Sequence, residues 1–151
     1  MSCIYGPHQF GTEDQGWVAH FLIRALERRP ITVYGDGKQV RDVLYVEDLV
    51  DAFLRAEQDV EALAGQAFNI GGGTHNTISL RELLALIAQI DGRGPAVEYG
   101  PWRQGDQRYY VSDCAAYAAA SGWRPRVAPR DGVRALAAWL ANSRRRAAAA
   151  A

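Results

Sequence analysis

The chain has one lysine, Lys38, two cysteines, and no apolar run long enough to cross a bilayer. Each scarcity excludes something. Cys3 and Cys114 show no metal-ligand spacing and no framework of partners, which argues against a disulfide-built or zinc-built domain and fits a reducing, cytoplasmic setting. Charge of one sign is also missing: Lys plus Arg is 17 and Asp plus Glu is 17, so no electrostatic footprint points to nucleic acid or to a membrane surface. No signal peptide is readable before Ser2, whose neighbours already look like a strand and a turn. His8, His20 and His75 share no metal-ligand spacing and read as surface or loop residues. Any chemistry that needs a lysine has only Lys38 to use.

What is present is ordinary globular material. At 151 residues, with 48% hydrophobic and 23% charged, the chain is long enough for one domain with a real core. Val18, Phe21, Leu22, Ala25 and Leu26 fall on one helical face, and Pro30 stops that helix. Leu49, Ala52, Phe53 and Ala56 repeat the spacing. Ala67 to Ile70 reads as a short strand entering Gly71-Gly72-Gly73. Ser79 and Glu82 form a capping-box pattern ahead of Leu80, Leu83, Leu84 and Ile87, and Gly92 closes that helix. Val97 to Tyr99 and Tyr109 to Val111 read as strands. Asp113 caps an alanine-rich helix ending at Gly122, and Pro129 opens a last helix with Val133, Leu136, Ala137 and Leu140 inward. Residues 1–142 read as a single unit and 143–151, with Arg144-Arg145-Arg146 and the final alanines, as a flexible tail.

The organising stretch runs from Ile31 to Asp48. Ile31 to Tyr34 and Val40 to Val46 are strand-like, and Gly35-Asp36-Gly37 between them supplies positive φ angles for a tight reversal, as in a hairpin. Glu47-Asp48 can cap the helix that follows. Arg41-Asp42 interrupts an otherwise apolar run. A charge there must be paired or must face a groove. Arg41 is therefore either an ion-pair partner of Asp42 or Glu47, or a ligand-binding residue.

Tyr34 and Lys38 satisfy a Tyr-x-x-x-Lys spacing, a catalytic signature when it lies on a helix. Gly35-Asp36-Gly37 favours a turn instead, so the match is a coincidence of spacing. Gly71-Gly72-Gly73 lacks the Gly-x-Gly-x-x-Gly spacing of a dinucleotide turn and reads as a tight strand exit.

Gly35-Asp36-Gly37-Lys38-Gln39-Val40-Arg41-Asp42-Val43, followed by Val46-Glu47-Asp48, resembles the nucleotide-sugar-binding part of the extended short-chain dehydrogenase/reductases, the NAD-dependent epimerase/dehydratase family. A second cluster, Trp102-Arg103-Gln104-Gly105-Asp106-Gln107-Arg108-Tyr109-Tyr110, resembles that family's second phosphate-binding motif. The resemblance implies that Arg41 and Arg103 meet one diphosphate. It also implies that Thr32, Val33 and Tyr34 lie against the base, that Gln15, Gly16, Trp17 and Val18 lie near the sugar nucleotide, and that Tyr110 belongs to the same site. Arginine suits the task, because its planar fork binds phosphate oxygens bidentately. Asp14 to Val18, Asp106-Gln107-Arg108 and Asp131-Gly132-Val133 are similar to a subgroup acting on CDP-sugars, so a CDP-sugar is expected before a UDP-sugar.

The fold implied is α/β, the substrate-binding half of an extended short-chain dehydrogenase/reductase, lacking most of the N-terminal Rossmann sheet. In such enzymes NAD oxidises the sugar to a ketone and hydride returns to the opposite face, with a tyrosine base and its lysine. This sequence offers neither the dinucleotide turn nor the Tyr-Lys helix. The expectation is a substrate-recognition part, not catalytic alone, binding no NAD by itself and completed by an N-terminal half. The alternatives are a folded remnant or assembly module, or the substrate half of a UDP-sugar 4-epimerase or a sugar-nucleotide 4,6-dehydratase.

Overall fold

The computed structural model describes residues 3–149. Its elements are, in order, β1 (Cys3–Tyr5), α1 (Trp17–Leu26), β2 (Ile31–Tyr34), β3 (Val40–Tyr45), α2 (Val46–Gln58), α3 (Val60–Leu63), β4 (Thr77–Ser79), α4 (Leu80–Asp91), β5 (Val97–Gly100), β6 (Tyr109–Tyr110), α5 (Ala115–Ser121) and α6 (Pro129–Ala149). A single 3-10 turn, Thr74–Asn76, precedes β4.

Strand β3 is the hub. Its second half pairs in parallel with β1, Cys3 opposite Val43 and Tyr5 opposite Tyr45. Its first half pairs antiparallel with β4, Arg41 opposite Ile78, and in parallel with β6, Arg41 opposite Tyr110. The first-half pairings decide where the site lies, because Arg41 is held between two neighbouring strands at the end where β1 no longer reaches. Strand β2 forms a separate parallel pair with β5, Ile31 opposite Val97 and Tyr34 opposite Gly100.

Alternation along β3 builds a core on each face. Val43 and Tyr45 join the larger core with Tyr5, Ile31, Val33 and the inward faces of α1, α4 and α6. Leu44 points the other way, to Ala52, Leu63, Tyr117 and Trp123. Trp123 is 1% exposed, and its indole Nε1 donates to the Asp48 carbonyl at 3.1 Å, so the buried ring has its polar atom satisfied.

Several expectations are met. Helix α1 buries Val18, Phe21, Leu22 and Ala25, and α6 buries Val133, Leu136, Ala137 and Leu140. The Ser79–Glu82 capping box is present, with the Ser79 hydroxyl accepting from the Glu82 N–H. Helices α4 and α5 end on the left-handed Gly92 and Gly122.

Others are corrected. Gly35 and Gly37 do adopt positive φ, 78° and 73°. They do not join a hairpin, because β2 pairs with β5 and β3 with β1, β4 and β6. Residues 67–70 form no strand; they find no ladder partner, and a strand without one is only extended chain. Asp48 does not cap α2: buried at 2% exposure, it accepts from the Val127 N–H at 3.0 Å and ties the α5–α6 connection to α2. Phe53, placed on the inward face of α2 by its spacing, is 61% exposed. The stretch 143–149, read from sequence as tail, continues α6 to Ala149; alanine and arginine are strong helix formers, and Arg144 bridges to Glu27 at 3.1 Å. Residues 150–151 lie outside the described residues, as do Met1 and Ser2.

Among the described residues no helix is long and apolar enough to cross a membrane, and no group of His, Cys, Asp and Glu is arranged to hold a metal ion.

Candidate functional site

A cavity of about 230 Å³ opens where the end of β2, the start of β3 and two loops converge. Arg41, from β3, and Arg103, from the loop after β5, both line it. They come together because β2 carries β5, and hence Arg103, alongside it, while β3 carries Arg41.

Each arginine is held differently. Arg41, with 19% of its side chain exposed, donates from Nη2 to Asp106 Oδ1 at 2.8 Å and from Nη1 to its neighbour Val40's carbonyl at 2.9 Å. Among the described residues its ion-pair partner is thus Asp106, and not Asp42 or Glu47, the two that the sequence offered. Gln39, 2% exposed, braces the pair: its Nε2 donates to the Tyr34 carbonyl and, at 3.3 Å, to Asp106 Oδ2, while its buried Oε1 has no hydrogen-bond partner among the described residues.

Arg103 lies nearer to solvent, at 39% exposure. Its guanidinium stacks over the Tyr34 ring, 3.8 Å from the centroid, and its Nη2 donates to Glu13 Oε1 at 2.6 Å. Asp14 adds a longer ion pair at 3.8 Å. The Tyr34 hydroxyl donates to the same Glu13 oxygen. That hydrogen bond, and then Arg103, hold the Glu13 carboxyl below the usual carboxylate range. The Tyr34 contact likewise raises the Arg103 guanidinium. His20, also in the wall, has its imidazole pKa lowered by burial first and by Arg24 next.

The turn below this wall is built for close approach. A Cβ on Gly35 would meet the Trp102 ring at 2.6 Å, so glycine lets the loop carrying Arg103 lie flat against the end of β2. The Lys38 N–H donates to Asp36 Oδ1 at 2.9 Å inside that turn. Tyr34 therefore ends a strand and Lys38 sits across a turn from it; the two do not share a helix.

Of the residues that the sequence proposed, Arg41, Arg103, Trp17, Thr32 and Tyr34 line the cavity. Val18 and Val33, both 0% exposed, point into the core. Gly16 is the left-handed residue that opens α1, Gln15 is exposed in the preceding loop, and Tyr110 is partly buried on β6 opposite Arg41. Sequence reading missed Glu13, His20, Gln39 and Asp106 as wall residues. Asp106 had a signal, its place in the Arg-x-Gly-Asp cluster; the others had none beyond their neighbours.

Gly71-Gly72-Gly73 does not form a dinucleotide turn. A Cβ on Gly71 would meet Ser112 Oγ at 2.4 Å and one on Gly72 would meet the Val43 carbonyl oxygen at 2.2 Å, so these glycines accommodate the chain's own atoms. They lead into a three-residue 3-10 turn, with no α-helix N-terminus following for a pyrophosphate.

The α/β fold thus brings two arginines and an aromatic ring to the wall of one cavity. Residues 1–71 match the profile of the NAD dependent epimerase/dehydratase family. The chain is 39% identical over 146 residues to the CDP-paratose 2-epimerase of Salmonella typhi, covering 93% of this chain and 43% of that protein. Among solved structures, the Thermotoga maritima UDP-glucose 4-epimerase with UDP-glucose is 30% identical with a TM-score of 0.79, over 93% of this chain and 44% of that one. The Thermus thermophilus UDP-glucose 4-epimerase complex with NAD is 32% identical with a TM-score of 0.78, again over 93% and 44%. The chain thus spans less than half the length of these relatives.

Proposed function

We propose that this chain is the nucleotide-sugar-recognition part of an NAD-dependent sugar-nucleotide epimerase, taking a CDP-sugar in preference to a UDP-sugar, and that it does not catalyse alone. One observation carries the reading: Arg41 and Arg103 line the same cavity as Trp17, Thr32 and Tyr34. A nucleotide-sugar diphosphate carries about two negative charges, and two arginine forks are the side chains best shaped to bind them. The aromatic and threonine faces of β2 beside them give the base a surface to lie on. The CDP preference is supported by the 39% identity to a CDP-paratose 2-epimerase. NAD, the catalytic tyrosine and its lysine are assigned to a nucleotide-binding half outside this chain, in the cytoplasm where the free Cys3 and Cys114 persist.

The test is calorimetry with CDP, UDP, GDP and ADP on this chain, repeated after fusion to a complete N-terminal half from the family. CDP should bind best, and the isolated chain should retain no NAD and turn over no CDP- or UDP-sugar. Preferred binding of GDP or ADP would remove the pyrimidine preference. Turnover by the isolated chain would remove the division of labour.

A further inference from the structure

The cavity arginines are already engaged by carboxylates, and the two engagements are not alike. Asp106 meets Arg41 with both side chains largely buried, at 27% and 19% exposure. Glu13 meets Arg103 near the surface, at 49% and 39% exposure. Glu13 belongs to the segment between β1 and α1, and Arg103 to the segment between β5 and β6. Through one oxygen, Glu13 accepts from both Arg103 and the Tyr34 hydroxyl, and so fastens the two loops across the cavity wall.

We infer that Glu13 competes with the ligand's diphosphate for Arg103, so that phosphate entry displaces this carboxylate and unfastens the 11–16 loop from the 101–108 loop. The inference rests on the reading that Arg103 binds the diphosphate. Three features carry it. Arg103 remains located when Glu13 leaves, because its flat face stays on the Tyr34 ring at 3.8 Å, and stacking leaves the guanidinium edge, where the N–H donors lie, free for an anion. The displaced pair is exposed, and an exposed ion pair shifts an equilibrium by only about two- to fivefold, so a diphosphate can win the exchange. The 11–16 loop keeps a bond of its own, the Thr12 N–H to the Gln15 carbonyl at 2.8 Å, and can move as a piece. Glu13 thereby raises the threshold for any anion that meets Arg103 alone.

The experiment is an NMR titration with CDP that follows the arginine side-chain N–H signals of the chain, of Glu13→Gln, of Arg103→Gln and of the double variant. Glutamine keeps an oxygen for the Tyr34 hydroxyl and loses the charge. Glu13→Gln should bind CDP about two- to fivefold more tightly, and the gain should vanish in the Arg103→Gln background. CDP should speed amide exchange of residues 11–16 in the parent and change it little in Glu13→Gln. If the parent binds CDP and Glu13→Gln binds it equally or more weakly, the competition is wrong and the diphosphate site stands; a merely structural Glu13 would give that result. A gain that persists without Arg103 is a general charge effect and also overturns the competition. CDP that perturbs neither Arg41 nor Arg103 in the parent removes the diphosphate reading, and the competition with it.

Discussion

Arg41 and Asp106 meet at 2.8 Å, joining the start of β3 to the loop that precedes β6. The contact is both a wall of the cavity and a clamp between two chain segments. Asp106→Asn would leave the arginine with a neutral acceptor in a place where little water reaches it. Leaving a largely buried charged group under-satisfied costs roughly 1–3 kcal/mol. Thermal or urea unfolding should show a loss of that size, and an Asp106→Asn variant as stable as its parent would show that Arg41 is solvated instead.

Helix α6 crosses β1 and β3 at a glycine. A Cβ at Gly132 would lie 2.2 Å from the Tyr5 hydroxyl and 2.9 Å from a Tyr45 ring carbon. Gly132 has no positive φ, so alanine brings no backbone strain and would otherwise favour the helix. The close approach should outweigh that gain, since overpacking a core costs roughly 1–3 kcal/mol. Gly132→Ala is therefore expected to be less stable than the parent by denaturant unfolding. A stabilised variant would mean that α6 can lift off the strands without loss.

The capping box gives a pH signature. Backbone and side-chain hydrogen bonds from Ser79 hold the Glu82 carboxyl below its ordinary value of 4.5. A carboxyl whose folded-state value is depressed contributes stability above its unfolded value and loses it as pH falls through the folded one. The stability of Glu82→Gln should therefore differ most from the parent near neutrality, by about 0.3–1 kcal/mol. The two curves should converge below pH 4.5. Parallel curves across that range would mean that the charge of Glu82 plays no part.

How much of this was legible in the sequence follows from how local each feature is. The capping box, the glycine stops of α4 and α5 and the inward faces of α1 and α6 depend on residues a few positions apart, and all were readable. The pairing of β2 with β5 links Ile31 to Val97 and leaves no local trace, so the glycine turn at 35–37 read as a hairpin. The arginines of the cavity stood out as charges in apolar or motif-like settings. Their partners did not, because Glu13 meets Arg103 only once β5 is laid beside β2. Asp48 shows the same effect in reverse: its position suggests a helix cap, and a distant backbone N–H at Val127 claims it.

The stack of Arg103 on Tyr34 allows the site to be tested without disturbing the fold. Both residues are partly exposed, and substitutions at such surfaces usually change stability by less than about 0.5 kcal/mol. Arg103→Lys keeps the positive charge, but an ammonium lacks the fork and the flat face. If Arg103 meets a diphosphate, the variant should lose part of a charge-assisted contact of roughly 1.5–3 kcal/mol. Tyr34→Phe behaves differently. It retains the ring under the guanidinium and removes the hydroxyl that holds Glu13, so Arg103 stays in place while its carboxylate partner is loosened. CDP affinity should therefore fall in Arg103→Lys and be kept or raised in Tyr34→Phe, with both proteins melting close to the parent. Calorimetry of the chain fused to a complete N-terminal half separates the outcomes. Equal CDP binding by Arg103→Lys and the parent would remove Arg103 from the diphosphate site, whatever role the stack plays in ordering the loop.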